Sequence, residues 1–313
     1  MEYRRLGNSG VKVSLLGLGT NNFGMRMDYD QSARVLNHAL DMGVNMIDTA
    51  NIYGGGKSEE YIGKALKEKR SQAIIATKFG LASGQGPNAK GGSRLYMMEM
   101  VHASLKRLET DYIDLYYLHF YDPETPIEET LRAFDDLVRQ GKVRYIACSN
   151  FTAWQLANAL GTSKHHNLNS FVCVQNHYNL LKRDPDSEVV PYCKFSGLGL
   201  IPYFPLASGM LTGKYKQGQP PPPGSRMEKA AWAASTLSDR NFKIVQGLEI
   251  FAKARGHTVG ELAMAWLAAN PAVCSIIAGA TKTEQLVENA KGLDWKLTAD
   301  DLKEIDKLAP IAG

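Results

Sequence analysis

The chain has 313 residues, 44% of them hydrophobic, which is ample for a large core at a length where α/β barrels often run as one domain. Its 36 basic and 32 acidic residues are well mixed and leave a net charge of +4. That balance argues against a nucleic-acid-binding tail but allows a modest positive patch for a phosphorylated ligand.

The N-terminal MEYRRLGNSG lacks the apolar core of a signal peptide, and no run reaches about 18 apolar residues, so neither a leader nor a membrane span is expected. Four cysteines, Cys148, Cys173, Cys193 and Cys274, form no C-x-x-C pair. They read as core packing in a reducing compartment, consistent with a cytoplasmic protein.

In chain order, YRRL and VKVSLL flank the turn-forming residues 7–10 and predict an N-terminal β-hairpin. Eight strand-like runs follow: LGLGT (16–20), VNMID (44–48), AIIATK (73–78), YIDLYYLH (112–119), VRYIAC (143–148), FVCVQ (171–175), GLIPY (199–203) and CSIIAG (274–279).

Helix signals lie between them. Asp30 is placed to cap a helix with Val35, Leu36, Ala39 and Leu40 on one face, ended by Gly43. Thr125, Pro126 and Glu128 read as a capping box opening a helix that buries Leu131, Phe134, Leu137 and Val138 and stops at Gly141. Thr152 with Gln155 and Thr258 with Glu261 are two further boxes, and a last helix is expected from about Thr298. This alternation implies right-handed crossovers, a parallel sheet and, with eight strands, a (β/α)8 barrel spanning residues 1–313 as one domain. Two segments break the rhythm: the glycine-rich 80–92, expected to be mobile, and the proline-rich QGQPPPPGSR (217–226). Both follow strand ends and would hang over the same face.

Asp48, Lys78 and His119 sit at the C-terminal ends of strand-like runs, and Tyr53 follows in the loop TANIYG. Singly, each has a plainer reading: a turn cap, a snorkelling lysine, a satisfied core histidine, an uninformative tyrosine. Together they lie where barrel active sites form. A lysine cation beside a phenol favours phenolate and is expected to lower the tyrosine pKa from about 10. An aspartate keeps that lysine charged, a histidine orients a carbonyl oxygen, and the phenol serves as general acid. Ser149, Asn150 and Gln175 at later strand ends could fix a carboxamide, and Tyr203 could stack on a flat heterocycle. Phe23, Phe79, Phe120, Tyr121 and Phe204, next to strand ends, are candidate walls of a pocket for a small-molecule carbonyl substrate.

Other chemistries fit poorly. Gly17 and Gly19 suggest a dinucleotide fingerprint, but position 22 is Asn22 and no helix opens there. His165 and His166 lack ligand spacing and no H-x-H ends a strand, so no metal is expected. A Schiff-base lyase using Lys78 would leave the carboxamide and stacking set without a role.

The motifs GTNNFG (19–24), MIDTANIYGGGKSE (46–59), ATKFG (76–80), DYIDLYYLH (111–119), ACSNF (147–151), VQNHYN (174–179), PYFPLASGMLTGKY (202–215) and GATKTEQLVEN (279–289) occur in the order found in the aldo-keto reductases. The chain resembles that family over nearly its whole length, most closely the branch with bacterial reductases and potassium-channel β subunits. The resemblance implies the barrel fold and NADPH, less often NADH, as cofactor for reducing aldehydes or ketones. It makes Tyr53 the proton donor, Asp48 and Lys78 its partners and His119 the orienter of the carbonyl.

It also implies that Ser149, Asn150 and Gln175 hold the nicotinamide carboxamide while Tyr203 stacks on its ring. Leu206, Ser208 and Leu211 would follow the pyrophosphate and ribose, Lys214 and Arg226 the 2′-phosphate, and Gln285, Glu288 and Asn289 the adenine end. Gly19, Thr20, Asn21, Pro205, Gly279 and Thr281 complete the implied cofactor contacts. The chain departs from the family at Ala278, where a proline-type residue is usual, and at Gly279, Ala280 and Gln285, where many members carry a lysine-serine pair and an arginine that read the phosphate; Lys282 is a nearby substitute cation. With a short tail after Leu308, loops 80–92 and 204–238 would define the pocket. The alternative is a cofactor-holding sensor module with slow turnover.

Overall fold

In a computed structural model, the described residues are 1–228, 230 and 233–311. The hairpin forms from β1 (Tyr3–Arg5) and β2 (Lys12–Ser14), paired antiparallel. Eight parallel strands then close a barrel: β3 (Leu16–Gly19), β4 (Met46–Asp48), β5 (Ile74–Phe79), β6 (Ile113–Leu118), β7 (Val143–Ser149), β8 (Cys173–His177), β9 (Gly199–Tyr203) and β10 (Ile276–Gly279). Closure is made by β10, which pairs with β3 on one side and with β9 through Ile277 and Tyr203 on the other. The expected (β/α)8 fold is the observed one. Helices α1 (Tyr29–Asp41), α2 (Lys57–Leu66), α3 (Arg94–Arg107), α4 (Ile127–Arg139), α5 (Ala153–His165), α6 (Val189–Ser196), α7 (Ala233–Thr236), α8 (Asp239–Lys253), α9 (Val259–Ala269), α10 (Thr283–Asp294) and α11 (Ala299–Leu308) complete the chain.

The core has two parts. Met46, Ala76, Leu115, Tyr117, Ala147, Cys173, Ile201 and Ile277 fill the barrel interior. Ile47, Ile75, Phe79, Tyr116, Leu118, Ile146, Val174 and Leu200 face outward into a larger layer beneath the helices. Strand side chains alternate between faces. The parity that puts Met46, Ala76 and Tyr117 inside therefore carries Asp48, Lys78 and His119 inward at the C-terminal mouth.

Leu6 and Val13 of the hairpin join the inner cluster and plug the opposite end. Gly7 makes that plug fit: it has φ +56°, and an added Cβ would lie 2.1 Å from the Val172 carbonyl oxygen. All four cysteines are buried and free.

Two expected helix starts differ. Asp28, not Asp30, caps α1: its Oδ1 accepts from Gln31 N at 2.9 Å, and Gln31 Oε1 accepts from Asp28 N at 3.3 Å. The reciprocal bonds require acceptors three residues apart, which Asp28 and Gln31 supply. Thr125 does not cap α4. Its hydroxyl donates to Asp122 Oδ2 at 2.6 Å, and Pro126 occupies the cap position without a side-chain bond. The nearby Asp122 carboxylate, a stronger acceptor, takes the hydroxyl away from the backbone.

Phe134 is fully buried against the rings of Phe79, Tyr116 and Phe171, at centroid distances of 5.7, 5.9 and 5.9 Å. Phe134→Ala should destabilise the fold by about 3–5 kcal/mol, read as a lower denaturation midpoint in urea. A midpoint close to wild type would mean that these aromatic layers are not tightly packed.

Candidate active site

The barrel mouth is organised around Lys78. Its side chain is wholly enclosed, and its Nζ donates to Asp48 Oδ1 at 2.6 Å and to the Thr49 carbonyl at 2.7 Å. Asp48 Oδ2 accepts from Gln175 Nε2 at 2.8 Å, so a lysine and an amide fix both carboxylate oxygens. Burial works against the Lys78 charge, but Asp48 and Tyr53 outweigh it and raise the ammonium pKa above its ordinary value. Lys78 is therefore held as a cation, which disfavours its use as a Schiff-base nucleophile.

Tyr53 reaches this pair from a tight turn, Tyr53–Gly56. Gly54 has φ +60°, and a Cβ there would meet the Phe23 carbonyl oxygen at 2.8 Å, so that turn requires glycine. Lys78 Nζ lies 5.2 Å from the Tyr53 ring centroid. The expectation of a lowered tyrosine pKa is overturned. Burial raises it, and the charges of Lys78 and Arg226 offset only part of that rise. Tyr53 is thus a neutral phenol that keeps its proton.

His119 packs edge-on to Tyr53, with centroids 6.3 Å apart, and stacks on Phe120 at 5.3 Å. Burial, and then the Lys78 charge, depress its pKa to about 3, so the ring is neutral at ordinary pH. Its buried Nδ1 has no hydrogen-bond partner among the described residues.

The later strand ends are linked to this group and to one another. Ser149 Oγ donates to the Gln175 carbonyl at 2.8 Å. Asn150 Nδ2 donates to the His119 carbonyl and to Ser149 Oγ, both at 3.0 Å. The Tyr203 hydroxyl donates to Asn150 Oδ1 at 2.8 Å. Asn150 has φ +60°, a conformation unusual outside glycine, and its three bonds hold it there. His177 covers one face of the Tyr203 ring at 5.3 Å.

Asp48, Tyr53, His119, Ser149, Asn150, Gln175 and Tyr203 open onto a cavity of about 230 Å³ lined also by Gly19, Thr20, Asn21, Phe120, Phe204, Arg226 and Gly279. Phe204, Arg226 and Gly279 also line an adjoining groove of about 340 Å³, with Pro205, Leu206, Ser208, Lys214, Thr281, Gln285, Glu288 and Asn289. Cavity and groove are therefore contiguous.

Five expected residues lie elsewhere. Phe79 points outward, stacking on Tyr116 at 5.0 Å, because its strand parity is opposite to that of Lys78. Phe23 folds into the outer core. Leu211 is fully buried there too, and Lys282 is exposed beyond the groove lining. Tyr121 packs on Phe151 and Trp154 and lines a neighbouring groove with residues of 80–92. Residues 229, 231 and 232 of the expected 204–238 loop lie outside the described residues. Arg26, which the sequence reading missed, lines the groove beside Arg226. In the sequence it is a lone cation in the loop between the first barrel strand and α1.

A parallel eight-stranded barrel with a buried lysine–aspartate pair, a phenol and a neutral histidine at its C-terminal mouth is the arrangement of a carbonyl oxidoreductase. The profile of the Aldo/keto reductase family matches residues 15–310, and the chain belongs to that family. It is 40% identical over 302 residues to a protein of Oryza sativa subsp. japonica named as a probable voltage-gated potassium channel subunit beta, covering 94% of this chain and 92% of that one. It is 36% identical to an uncharacterized oxidoreductase, YrpG, of Bacillus subtilis, covering 100% and 97%. A versiconal hemiacetal acetate reductase of Aspergillus parasiticus is 32% identical, covering 98% and 96%. Family membership and the oxidoreductase relatives support carbonyl reduction in general terms. Among the described residues, no helix is long and apolar enough to cross a membrane.

The histidines make a pH prediction. Burial, then Lys182, depresses His177 to about 4, as burial and Lys78 depress His119 to about 3. Their unfolded value is about 6.5. Between these values the unfolded chain binds more protons, so stability should be fullest above about pH 6.5 and fall as the pH drops toward 4 and then 3. Imidazole NMR should show His119 neutral from about pH 8 to 5. A His119 titration near its ordinary value would contradict the burial argument.

Proposed function

We propose that this chain, as a single barrel domain, reduces aldehyde or ketone carbonyls to alcohols with NADPH, with Tyr53 as the proton donor. The observation that carries the reading is the enclosed Lys78–Asp48 pair behind a protonated phenol, at a cavity continuous with a cation-lined groove. The residues present fit a dinucleotide. The cavity has amide and hydroxyl groups and an aromatic ring, and among the described residues the groove carries Arg26, Lys214 and Arg226 against the single acidic side chain of Glu288.

When bound, the reduced nicotinamide supplies the hydride. Ser149, Asn150 and Gln175, which line the cavity, would hold its carboxamide end, and Tyr203 would flank its ring. His119 lines the cavity edge-on to Tyr53 and is neutral, so its ring is placed to hydrogen-bond a carbonyl oxygen there. As the carbonyl oxygen gains negative charge, the neutral His119 ring orients it and Tyr53 delivers its proton. The resulting phenolate is stabilised by Lys78, whose charge Asp48 maintains. Lys214, which lines the groove away from the catalytic cavity, would meet the 2′-phosphate, and this supports NADPH over NADH.

A slow, cofactor-holding regulatory subunit is the second reading, favoured by the names of the channel-subunit relatives. Rates of NADPH oxidation over a panel of aldehydes, ketones and sugars separate the two. Brisk carbonyl-dependent oxidation supports the reductase, and tight binding without turnover supports the regulatory subunit.

Tyr53→Phe should lower carbonyl-dependent NADPH oxidation by about 10²–10⁴-fold. Cofactor affinity, read by quenching of protein fluorescence, should change by less than about threefold. Parallel loss of rate and affinity would remove Tyr53 from the proton-donor role.

A further inference from the structure

Tyr203 ends β9, and its register partner on β8 is His177, the last residue of that strand. Neighbouring strands lie about 5 Å apart, which suits two flat side chains standing face to face. The two rings stack with centroids 5.3 Å apart and planes 21° from parallel. Tyr203 lines the catalytic cavity, whereas His177 is not among the described residues that line it. The imidazole therefore backs the phenol ring on the side away from the cavity.

Other contacts hold this pair in place. Phe204 stands edge-on to both rings, 5.2 Å from Tyr203 at 75° and 5.5 Å from His177 at 83°. Phe204 itself has φ +54°, and fully buried Asn179 holds its carbonyl through a 2.8 Å bond from Nδ2. Arg226 lies over the Phe204 ring at 4.6 Å. The Tyr203 hydroxyl is tied to Asn150, but that bond fixes only the far end of the ring. Rotation of an aromatic ring about its long axis has a broad minimum, so the hydroxyl bond does not set the ring plane. A flat side chain lying along one face does.

Among the described residues, no hydrogen bond is made to the His177 ring. Burial and then Lys182 keep the imidazole neutral against the opposing pull of Asp184, with a pKa of about 4. His177 thus serves Tyr203 as an uncharged flat surface, a role that a benzene ring would also fill.

We propose that His177 is a positioning residue for the nicotinamide: it sets the plane of Tyr203, which presents its opposite face to the nicotinamide ring. This rests on the nucleotide reading of the cavity and groove. Without His177 the Tyr203 ring tilts, and the nicotinamide loses a stacking partner. The adenosine portion keeps its contacts, because neither His177 nor Tyr203 is among the described residues that line the groove.

The test is calorimetry of the wild-type protein, His177→Ala, His177→Leu and His177→Phe with two ligands: NADPH, and 2′-phospho-ADP-ribose, which lacks the nicotinamide. NADH and ADP-ribose replace them if the wild-type protein prefers NADH. His177→Ala should weaken the dinucleotide by about three- to tenfold and leave the fragment unchanged. His177→Leu keeps the bulk without the flat face and should show the same loss, which serves if His177→Ala does not fold. His177→Phe should restore wild-type affinity. Unchanged dinucleotide affinity in the Ala and Leu variants overturns the inference and leaves the nucleotide reading standing. Equal weakening of dinucleotide and fragment also overturns it, because the damage would then be general. Recovery by Leu as complete as by Phe assigns the effect to bulk and overturns it too, as does a failure of Phe to recover. A wild-type protein that binds no dinucleotide removes the nucleotide reading and this inference with it.

Discussion

The barrel mouth depends on one buried ion pair. An ammonium wholly removed from water carries a desolvation cost of several kcal/mol, and Lys78 offsets it with a carboxylate at 2.6 Å and a backbone carbonyl at 2.7 Å. Removing either partner would leave an uncompensated buried charge, a loss of about 3–5 kcal/mol by comparison with other buried pairs. The pair therefore constrains more than chemistry. Asp48 must be held on both oxygens, which brings in Gln175 from the far side of the barrel. Thr49 must present its carbonyl, which fixes the start of the loop that delivers Tyr53. Behind that loop, Ser58 Oγ lies 2.8 Å from Thr20 Oγ1 and 2.9 Å from Thr49 Oγ1, and fully buried Glu59 accepts from Thr77 and Arg107.

The same environment assigns different protonation states to groups a few ångströms apart. Lys78 stays charged because a carboxylate faces it. His119 stays neutral because burial and Lys78 both oppose a second positive charge. Tyr53 keeps its proton because burial outweighs the cations near it. A phenol that is protonated at rest but close to a fixed cation is better suited to donate a proton than to withhold one, since the cation gains strength as a partner only when phenolate forms. The sequence expectation named the correct neighbours of Tyr53 but omitted burial, which comes from the loops and strands packed around the ring.

Strand parity explains both what was legible at the site and one of the errors. Residues two apart on a strand share a face, so Met46 with Asp48, Ala76 with Lys78, and Cys173 with Gln175 all point inward. Phe79 adjoins Lys78 in sequence and for that reason points the other way, into the layer under α3 and α4. Adjacency to a site residue was a poor guide to pocket lining, and the alternation already visible in IIATKF was the better one. Phe23 and Leu211 lacked that regular frame. They lie in irregular segments, where only the folded path shows which way a side chain turns.

By itself, the sequence determined the alternation of eight strand runs with helices, the hairpin before them and the strand ends at which Asp48, Lys78, His119, Ser149 and Gln175 fall. Those features are written in local patterns of period two and 3.6 and in capping residues, each readable over a few positions. Tertiary structure decided the rest: closure of β10 onto β3 and β9, the direction of the Tyr53 pKa shift, the Gln175–Asp48 bond across 127 residues and the Arg26–Gly224 bond across 198. Burial and long-range hydrogen bonding depend on which surfaces meet when the ring closes, and no local pattern carries that information.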